Sequence, residues 1–438
     1  MHLNPNRPFR PDKWPFFYGW VVVPLACFGI MTSIPGQTIG VSPFTDSLID
    51  VLKISRFELA LAYCIGTMCS GLLLPRAGRF LDKHGSRVIM VFSCLLLSIT
   101  LISLSYLDKI SAFLPKILFN GTSIQNIVLM GFGFFWLRFS GQGLVTMTSQ
   151  NMLGKWFKRK RGTVAGIAGV IKSCGFAFAP YILKVLIIDF GWSMTWHIFS
   201  IVAMVMALVA WVFFRDNPEE CGLLMDGEEA CADDEVDTDE SSDVEAKLAL
   251  RTPEFWAIAL SLGVLGTTVT GIFFHLEDLA AKVNIDGETI FKIFIPIGIL
   301  SPMVGITLGR LVDHVKVKYL ILVLQFFMVI SFMSYGHLGT RYGWVLIIIP
   351  QSICGAYYGI LSTVAIPHYF GRKHLGEISG NVMRLTVCGS AIGPLILAVS
   401  NMLTDSYMPA LYCFCTLPIL TFFIALRIKE DDKVRKKD

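Results

Sequence analysis

Gly78-Arg79-Phe80-Leu81-Asp82-Lys83-His84-Gly85-Ser86-Arg87 separates two long apolar runs, 57–77 and 87–106, with a burst of glycine and charge. Each run is long enough to cross the roughly 30 Å hydrocarbon core of a bilayer as a helix, which takes about 20 apolar residues. The decapeptide between them is too polar for lipid and too short for a domain. It reads as a tight turn at a membrane surface, with Gly78 and Gly85 admitting a close approach that a Cβ would obstruct. Part of it recurs as Gly309-Arg310-Leu311-Val312-Asp313, again just after an apolar run.

Working outward, twelve runs meet the length criterion: 17–41, 57–77, 87–106, 124–150, 162–186, 194–214, 253–276, 289–311, 318–336, 342–366, 377–400 and 409–427. They are far longer than barrel strands, and backbone in lipid must otherwise satisfy itself within a helix. The predicted class is an all-α membrane protein. Composition agrees: 54% of the 438 residues are hydrophobic and 16% charged, against about 25% charged in soluble domains. The net charge of +4 is small and unclustered, which excludes a nucleic-acid partner. Eleven cysteines are scattered mostly through apolar runs, without a Cys-x-x-Cys pair, so neither a disulfide framework nor a metal site is expected.

Lysine and arginine are concentrated in alternate loops, at Arg79, Lys83, Arg87, Lys158 to Arg161, Arg310 and Lys316 among others. By the positive-inside rule these loops and both termini are cytoplasmic, in an inner (plasma) membrane. Residues 1–16 form a polar basic tail, and the run that follows is too long for a signal h-region, so no cleavable leader is expected. Spans fill 17–214 and 251–428, with a basic tail at 429–438. The acidic stretch 215–250 between them reads as a solvated linker.

The two sets of six spans are related. A single offset superposes Gly162 on Gly376, Gly166 on Gly380, Cys174 on Cys388, Gly175 on Gly389 and Pro180 on Pro394. Two pseudo-symmetric six-helix bundles around a central crevice are predicted, an architecture common among transporters.

The stretch Gly78 to Arg87 resembles the loop 2–3 signature of the major facilitator superfamily, and its copy from Gly309 falls in loop 8–9, where that family repeats it. Arg138-Phe-Ser-Gly141-Gln142-Gly143, Trp156-Phe157, Tyr369-Phe370-Gly371-Arg372 and Gly389-Ser-Ala-Ile-Gly393-Pro394 are similar to a bacterial subgroup near the monocarboxylate and oxalate:formate carriers. The resemblance implies that Asp82 meets the start of the eleventh helix near Gly376. By the repeat, Asp313 would meet the fifth near Gly162. Gly78, Arg79, Asp82, Gly85, Arg87, Gly309, Arg310 and Asp313 are then the candidate gate between the halves.

Ionisable residues inside spans are functional candidates by default. Four stand out: Arg138 in span four, Lys172 in span five, Arg384 in span eleven and His275 at the outer end of span seven. Three fixed cations without a mid-membrane carboxylate favour an anionic solute. The resemblance favours Arg384, because oxalate:formate carriers use a lysine in that span. Their arginine in span eight has no counterpart here. Under the repeat Lys172 corresponds to Thr386, two residues beyond Arg384, or about 200° of helix rotation. The two cations therefore cannot both face the crevice in the same manner. His275 is a candidate proton site. Gln37, Tyr357 and Tyr358 are candidate lining.

A secondary carrier of a small organic anion is the leading reading, with protons as a candidate coupling ion, no cofactor, and a monomer in the bilayer. An efflux carrier for an amphipathic drug or siderophore, and a non-transporting receptor, are the alternatives. Neither a Walker-type loop nor a catalytic cluster supports a pump or an enzyme.

Overall fold

The computed structural model describes residues 6–113, 122–227, 244–285, 289–290, 292–312, 314–371 and 373–428. Asp313, Arg372, the acidic stretch from Asp233 to Asp243 and the tail 429–438 lie outside the described residues. Eleven helices are long and apolar enough to cross a membrane, and a shorter apolar one, Gly19–Thr32, precedes them. We number the twelve in chain order. The first half holds α1 (Gly19–Thr32), α2 (Arg56–His84), α3 (Ser86–Ser105), α4 (Thr122–Leu137 continuing to Trp156), α5 (Arg161–Phe190) and α6 (Trp192–Phe213). The second holds α7 (Pro253–Phe274), α8 (Phe294–Val312), α9 (Val317–Ser334), α10 (Arg341–Phe370), α11 (Leu375–Thr404) and α12 (Met408–Leu426).

The first span differs from the continuous helix expected over 17–41. It breaks after Thr32, passes through a 3₁₀ turn at Ile34–Gly36, and Gln37 is extended before the chain resumes helix at Thr38. Pro35 brings no amide donor, so the ladder cannot run through it. Gly36 lies so close to α4 that a Cβ there would stand 2.6 Å from the Leu137 carbonyl oxygen. Span four is irregular at the same place: Arg138–Val145 is π-helical. Such segments occur often at functional sites.

Two seams join the halves, and the repeated glycines line both. In the α2–α11 seam a Cβ on Gly78 would meet the Gly376 carbonyl oxygen at 2.0 Å, and one on Gly380 the Leu74 carbonyl at 2.6 Å. In the α5–α8 seam Gly309 faces Gly162 and Gly166, and Gly166 faces Gly305. Equivalent glycines occupy equivalent places, the close backbone approach that small residues permit in membranes. Gly85 is different: it forms the turn itself, with φ +83°.

The segment from 215 expected as a solvated linker is anchored for its first dozen residues. Arg215, Asp216, Cys221 and Asp226 are buried, and burial pushes the Cys221 thiol up to about 12. Asp216 accepts the Arg87 N–H at 2.8 Å, and Asp226 accepts N–H groups of Lys158, Arg159 and Lys160 at 2.9, 2.8 and 3.2 Å. The N-terminal tail is stapled beside it, with the Arg7 carbonyl accepting from Arg87 at 2.9 Å and Arg215 at 3.2 Å. Open carbonyls at the end of α6 and in the tail recruit these guanidiniums, so charge here marks caps rather than a free linker.

Candidate functional site

The break in α1 and the π-segment of α4 create the need that Arg138 fills. Backbone groups freed inside a membrane must find partners, and the Arg138 guanidinium donates to the Gly36 carbonyl at 3.0 Å and to Thr38 Oγ1 at 3.4 Å. Thr38 in turn shares a 2.7 Å hydrogen bond with the Tyr63 hydroxyl, and Arg138 lies 5.2 Å from the centre of the Tyr63 ring. Its remaining terminal nitrogen reaches across the molecular midline to Ser390 Oγ of α11 at 3.3 Å. The side chain is 1% exposed, and its Nε has no hydrogen-bond acceptor.

Lys172, on α5, is half-buried. Its ammonium lies 4.9 Å from the centre of the Tyr358 ring on α10 and 5.7 Å from that of Phe176. Lys172 thus rests on an aromatic ring contributed by the opposite half, while Arg138 rests on Tyr63 of its own half. Among the described residues neither is paired with a carboxylate. Rings compensate part of a cation's lost hydration, yet an aromatic face leaves N–H donors unsaturated. Just beyond, Ser173 of α5 and Ser301 of α8 share a 3.3 Å hydrogen bond across the other seam.

The remaining candidates are placed elsewhere. Gln37 donates to Ser33 Oγ at 3.1 Å and Thr146 Oγ1 at 3.2 Å, closing the broken span against α4. Tyr357, adjacent to Tyr358, is buried in the core of the second half. Arg384 does not join Arg138 and Lys172. Ser390, which does face Arg138, is about 120° away round α11. Cys388, almost in line with Arg384, meets the Met68 carbonyl of α2 at 3.9 Å. Arg384 therefore lies on the flank turned to α2.

His275 caps α7 at the opposite end from Asp82. Its Nε2 lies 3.0 Å from the Pro394 carbonyl and its Nδ1 3.4 Å from the Tyr407 hydroxyl, which donates to Asp278 at 2.5 Å. Burial raises the Tyr407 phenol further, so it stays a neutral donor to Asp278. At the same end Lys282 bonds Asp405 at 2.8 Å, which holds that carboxyl below the usual carboxylate range.

At the other end the halves are latched. Asp82 accepts the Gly376 and Glu377 N–H groups at 2.7 and 2.8 Å, and Arg79 stands 3.7 Å from the Glu377 carboxylate. Deeper along the same interface Gln150 donates to Ser362 at 3.2 Å and Ser379 to Asn151 at 2.9 Å. Of the other gate candidates, Arg87 serves the tail of its own half, Arg310 is exposed and Gly309 packs in the α5–α8 seam. Sequence reasoning missed Tyr63, Thr38 and Ser390 around Arg138, and Gln150 and Asn151 in the latch. These are uncharged, and nothing in an apolar run distinguishes a polar residue at an interface from one bonded to its own helix.

Comparison with known proteins identifies the family and the fold. The chain matches the Major Facilitator Superfamily over residues 16–394. It is 22% identical over 240 residues to the oxalate:formate antiporter of Oxalobacter formigenes, a stretch that covers 55% of this chain and half the length of that protein. Its structure is similar to that of the human organic anion transporter MFSD10 (TETRAN), with TM-score 0.66 and 14% identity over 94% of this chain and 100% of that one. It is also similar to the proton:xylose symporter XylE bound to 6-bromo-6-deoxy-D-glucose, with TM-score 0.64 and 13% identity over 93% and 94% of the two chains.

Proposed function

The chain belongs to the Major Facilitator Superfamily and is a multi-pass secondary transporter rather than an enzyme; from that premise we propose that its solute is a small organic anion. The observation that carries this is that Arg138 and Lys172, inside spans of the first half, each reach a residue of the second half, Ser390 and Tyr358, with no carboxylate partner among the described residues. A carboxylate offers both cations charge-assisted hydrogen bonds, about twice as strong as neutral ones. The contacts it would replace are weak: a 3.3 Å bond to Ser390 and a cation–ring contact, the latter worth about 0.5–2 kcal/mol. A neutral sugar or an amphipathic drug has no comparable use for two fixed cations. The partial similarity to an oxalate:formate antiporter supports the same reading.

Both contacts that would yield are contacts between the halves. Arg138 is held by its own half through Gly36 and Thr38, and Lys172 extends from α5 to Tyr358 of α10. An anion seated between them exchanges cross-half contacts for its own, which is how a ligand biases the rocking of one bundle against the other. The lysine and arginine bias of the loops puts the latched Asp82 end, and both termini, on the cytoplasmic face. The structure is then the form closed to the cytoplasm. One chain supplies both halves, so a monomer suffices. His275, which the Tyr407 hydroxyl links to Asp278 near the outer face, is the candidate for proton coupling.

The test is uptake into proteoliposomes of labelled small mono- and dicarboxylates beside a neutral sugar, with and without an imposed pH gradient. Carboxylate uptake that is lost in Lys172→Gln supports the reading. Uptake of the sugar alone, or carboxylate uptake indifferent to Lys172, ends it.

A further inference from the structure

One arginine remains on a surface where none is expected. Ile65, Cys69, Leu72, Arg76 and Phe80 follow one another at helical spacing along α2 and all are exposed, Leu72 by 56% and Phe80 by 58%. The face α2 turns to α11 is a different one, made by Gly71, Leu74, Pro75 and Gly78. Arg76 therefore stands in the lipid-facing stripe of a spanning helix. Arg384 lies on the neighbouring flank of α11, in line with Cys388.

The seam contacts fix their relative depth. A Cβ on Gly71 would meet Cys388 Sγ at 2.9 Å, Gly380 faces Leu74, and Gly78 faces Gly376. The helices run antiparallel, so Arg384 sits between the levels of Gly71 and Leu74, within about one helical turn of Arg76. Side chains incline toward the start of their own helix. In an antiparallel pair with this register, that inclination carries Arg76 and Arg384 toward a common level.

Neither arginine has a hydrogen-bond or ion-pair partner among the described residues. The carboxylates nearest along this seam are already engaged, Glu377 with Arg79 at 3.7 Å and Asp82 with the α11 amides at 2.7 and 2.8 Å. A single arginine could be explained by snorkelling to the interface. Two, from opposite halves, at one depth and without an acid among the described residues, call for an anion from the lipid side.

We propose that Arg76 and Arg384 together hold the phosphate of an anionic phospholipid on the lipid-facing flank of the α2–α11 seam. Guanidinium groups match phosphate oxygens in paired geometry. The leaflet is that of the Asp82 end, where anionic lipid is concentrated if that end is cytoplasmic. A phosphate shared by the two halves adds to the Asp82 latch and favours the form closed there. The proposal rests on the membrane-spanning fold and is independent of which solute is carried.

The full chain is purified and reconstituted in phosphatidylcholine with or without a minor fraction of phosphatidylglycerol. Native mass spectrometry reads lipid retention and thermal unfolding reads stability. The wild type is expected to retain phosphatidylglycerol over phosphatidylcholine and to unfold several degrees higher with it. R76Q and R384Q should each lose at least half of that increment, and K172Q should keep it. Arg→Lys variants at both sites, which keep charge but lose the fork, should retain the lipid more weakly. Inorganic phosphate without phosphatidylglycerol should give no increment, because the acyl chains place the headgroup. Absence of preferential retention by the wild type overturns the proposal without any variant. An unchanged increment in both Gln variants, or a full one with inorganic phosphate, does so as well. Failure of carboxylate uptake would leave these results unaffected.

Discussion

The Asp82 carboxylate caps the first amides of α11, accepting Gly376 N–H at 2.7 Å while a second oxygen takes Glu377 N–H at 2.8 Å. This joins a residue of the first half to a helix N-terminus of the second, where the helix dipole favours negative charge. Asp82→Asn keeps the shape and removes the charge. A hydrogen bond to a charged group is worth about 1.5–3 kcal/mol, so the latched population should fall about tenfold or more relative to the open one. Spin labels on α4 and α10 near this end would report the shift as a longer distance. An unchanged distance distribution would show that Asp82 shapes its loop and latches nothing.

Gly376 tests the same relationship from the other side. A Cβ there would stand 2.5 Å from both Asp82 Oδ1 and the Gly78 carbonyl oxygen. Gly376→Ala must part the seam, and it should open this end as Asp82→Asn does while the protein still inserts. The two substitutions act on one contact, so their effects should fall well short of additive.

Lys172 and Tyr358 separate charge from ring. Tyr358→Phe keeps the aromatic face 4.9 Å from the ammonium, and uptake should stay within about threefold of the wild type, since cation–ring attraction survives in phenylalanine. Tyr358→Leu removes that face and should raise KM for the anion. Lys172→Gln removes the charge and should reduce uptake at least tenfold, the order expected for one lost charge-assisted bond. Equal losses in Tyr358→Phe and Tyr358→Leu would assign the effect to the hydroxyl instead.

How far the sequence foretold this depends on what each signal reports. Apolar length foretold twelve apolar helices and the repeated offset foretold two related halves, but that the repeated glycines line the seams became visible only in the structure, where close backbone approach leaves glycine no substitute. The resemblance to the superfamily foretold Asp82 at Gly376. The face of Arg384 was not legible: position in a span gives depth, while rotation is set by packing against α2. The break at Pro35 and Gly36 was hidden because hydropathy is blind to backbone pairing. It is this break, rather than any charge pattern, that holds Arg138 in place. Arg215 and Asp216 read as linker because composition cannot tell a cap from a solvated charge.

Arg87 and Arg215 form a third testable pair. Each donates to the Arg7 carbonyl, at 2.9 and 3.2 Å, and both are buried. Breaking a buried charged hydrogen-bond network commonly costs about 2–4 kcal/mol. Arg87→Ala and Arg215→Ala should each lower the unfolding temperature by several degrees. The double variant should lose less than the sum, because either substitution loosens the same tail. Full additivity would mean that the two guanidiniums serve unrelated contacts.

The Lys282–Asp405 pair predicts a pH dependence whose sign is fixed. Lys282, through its hydrogen bond first and its charge second, holds the Asp405 carboxyl below its ordinary value. A depressed carboxyl contributes stability that is present above its unfolded-state value and is lost as pH falls through the folded one. Lys282→Ala should therefore lower the unfolding temperature slightly at neutral pH, and the gap should narrow in acid. It should not close, because Lys282 also donates to the Asp405 carbonyl at 2.8 Å and to Asn401 at 2.6 Å, and neither acceptor titrates here. A gap that widens in acid would contradict the assignment.

Ser390 offers the sharpest separation of binding from conformational coupling. Its hydroxyl accepts from Arg138 at 3.3 Å across the midline, whereas Gly36 and Thr38 hold the same guanidinium from within its own half. Ser390→Ala removes the cross-half bond and leaves the arginine positioned. If the anion displaces this bond on entry, the variant no longer opposes binding, and its Kd for the carboxylate should fall modestly, by about two- to fivefold for a weak neutral acceptor. Arg138→Gln does the reverse, since it withdraws the charge and leaves the Gly36 carbonyl without its donor, so binding and stability should both drop. Calorimetric titration of the two variants with one carboxylate distinguishes these outcomes. Weaker binding in Ser390→Ala would make the serine a ligand of the anion, working beside Arg138 instead of competing for it.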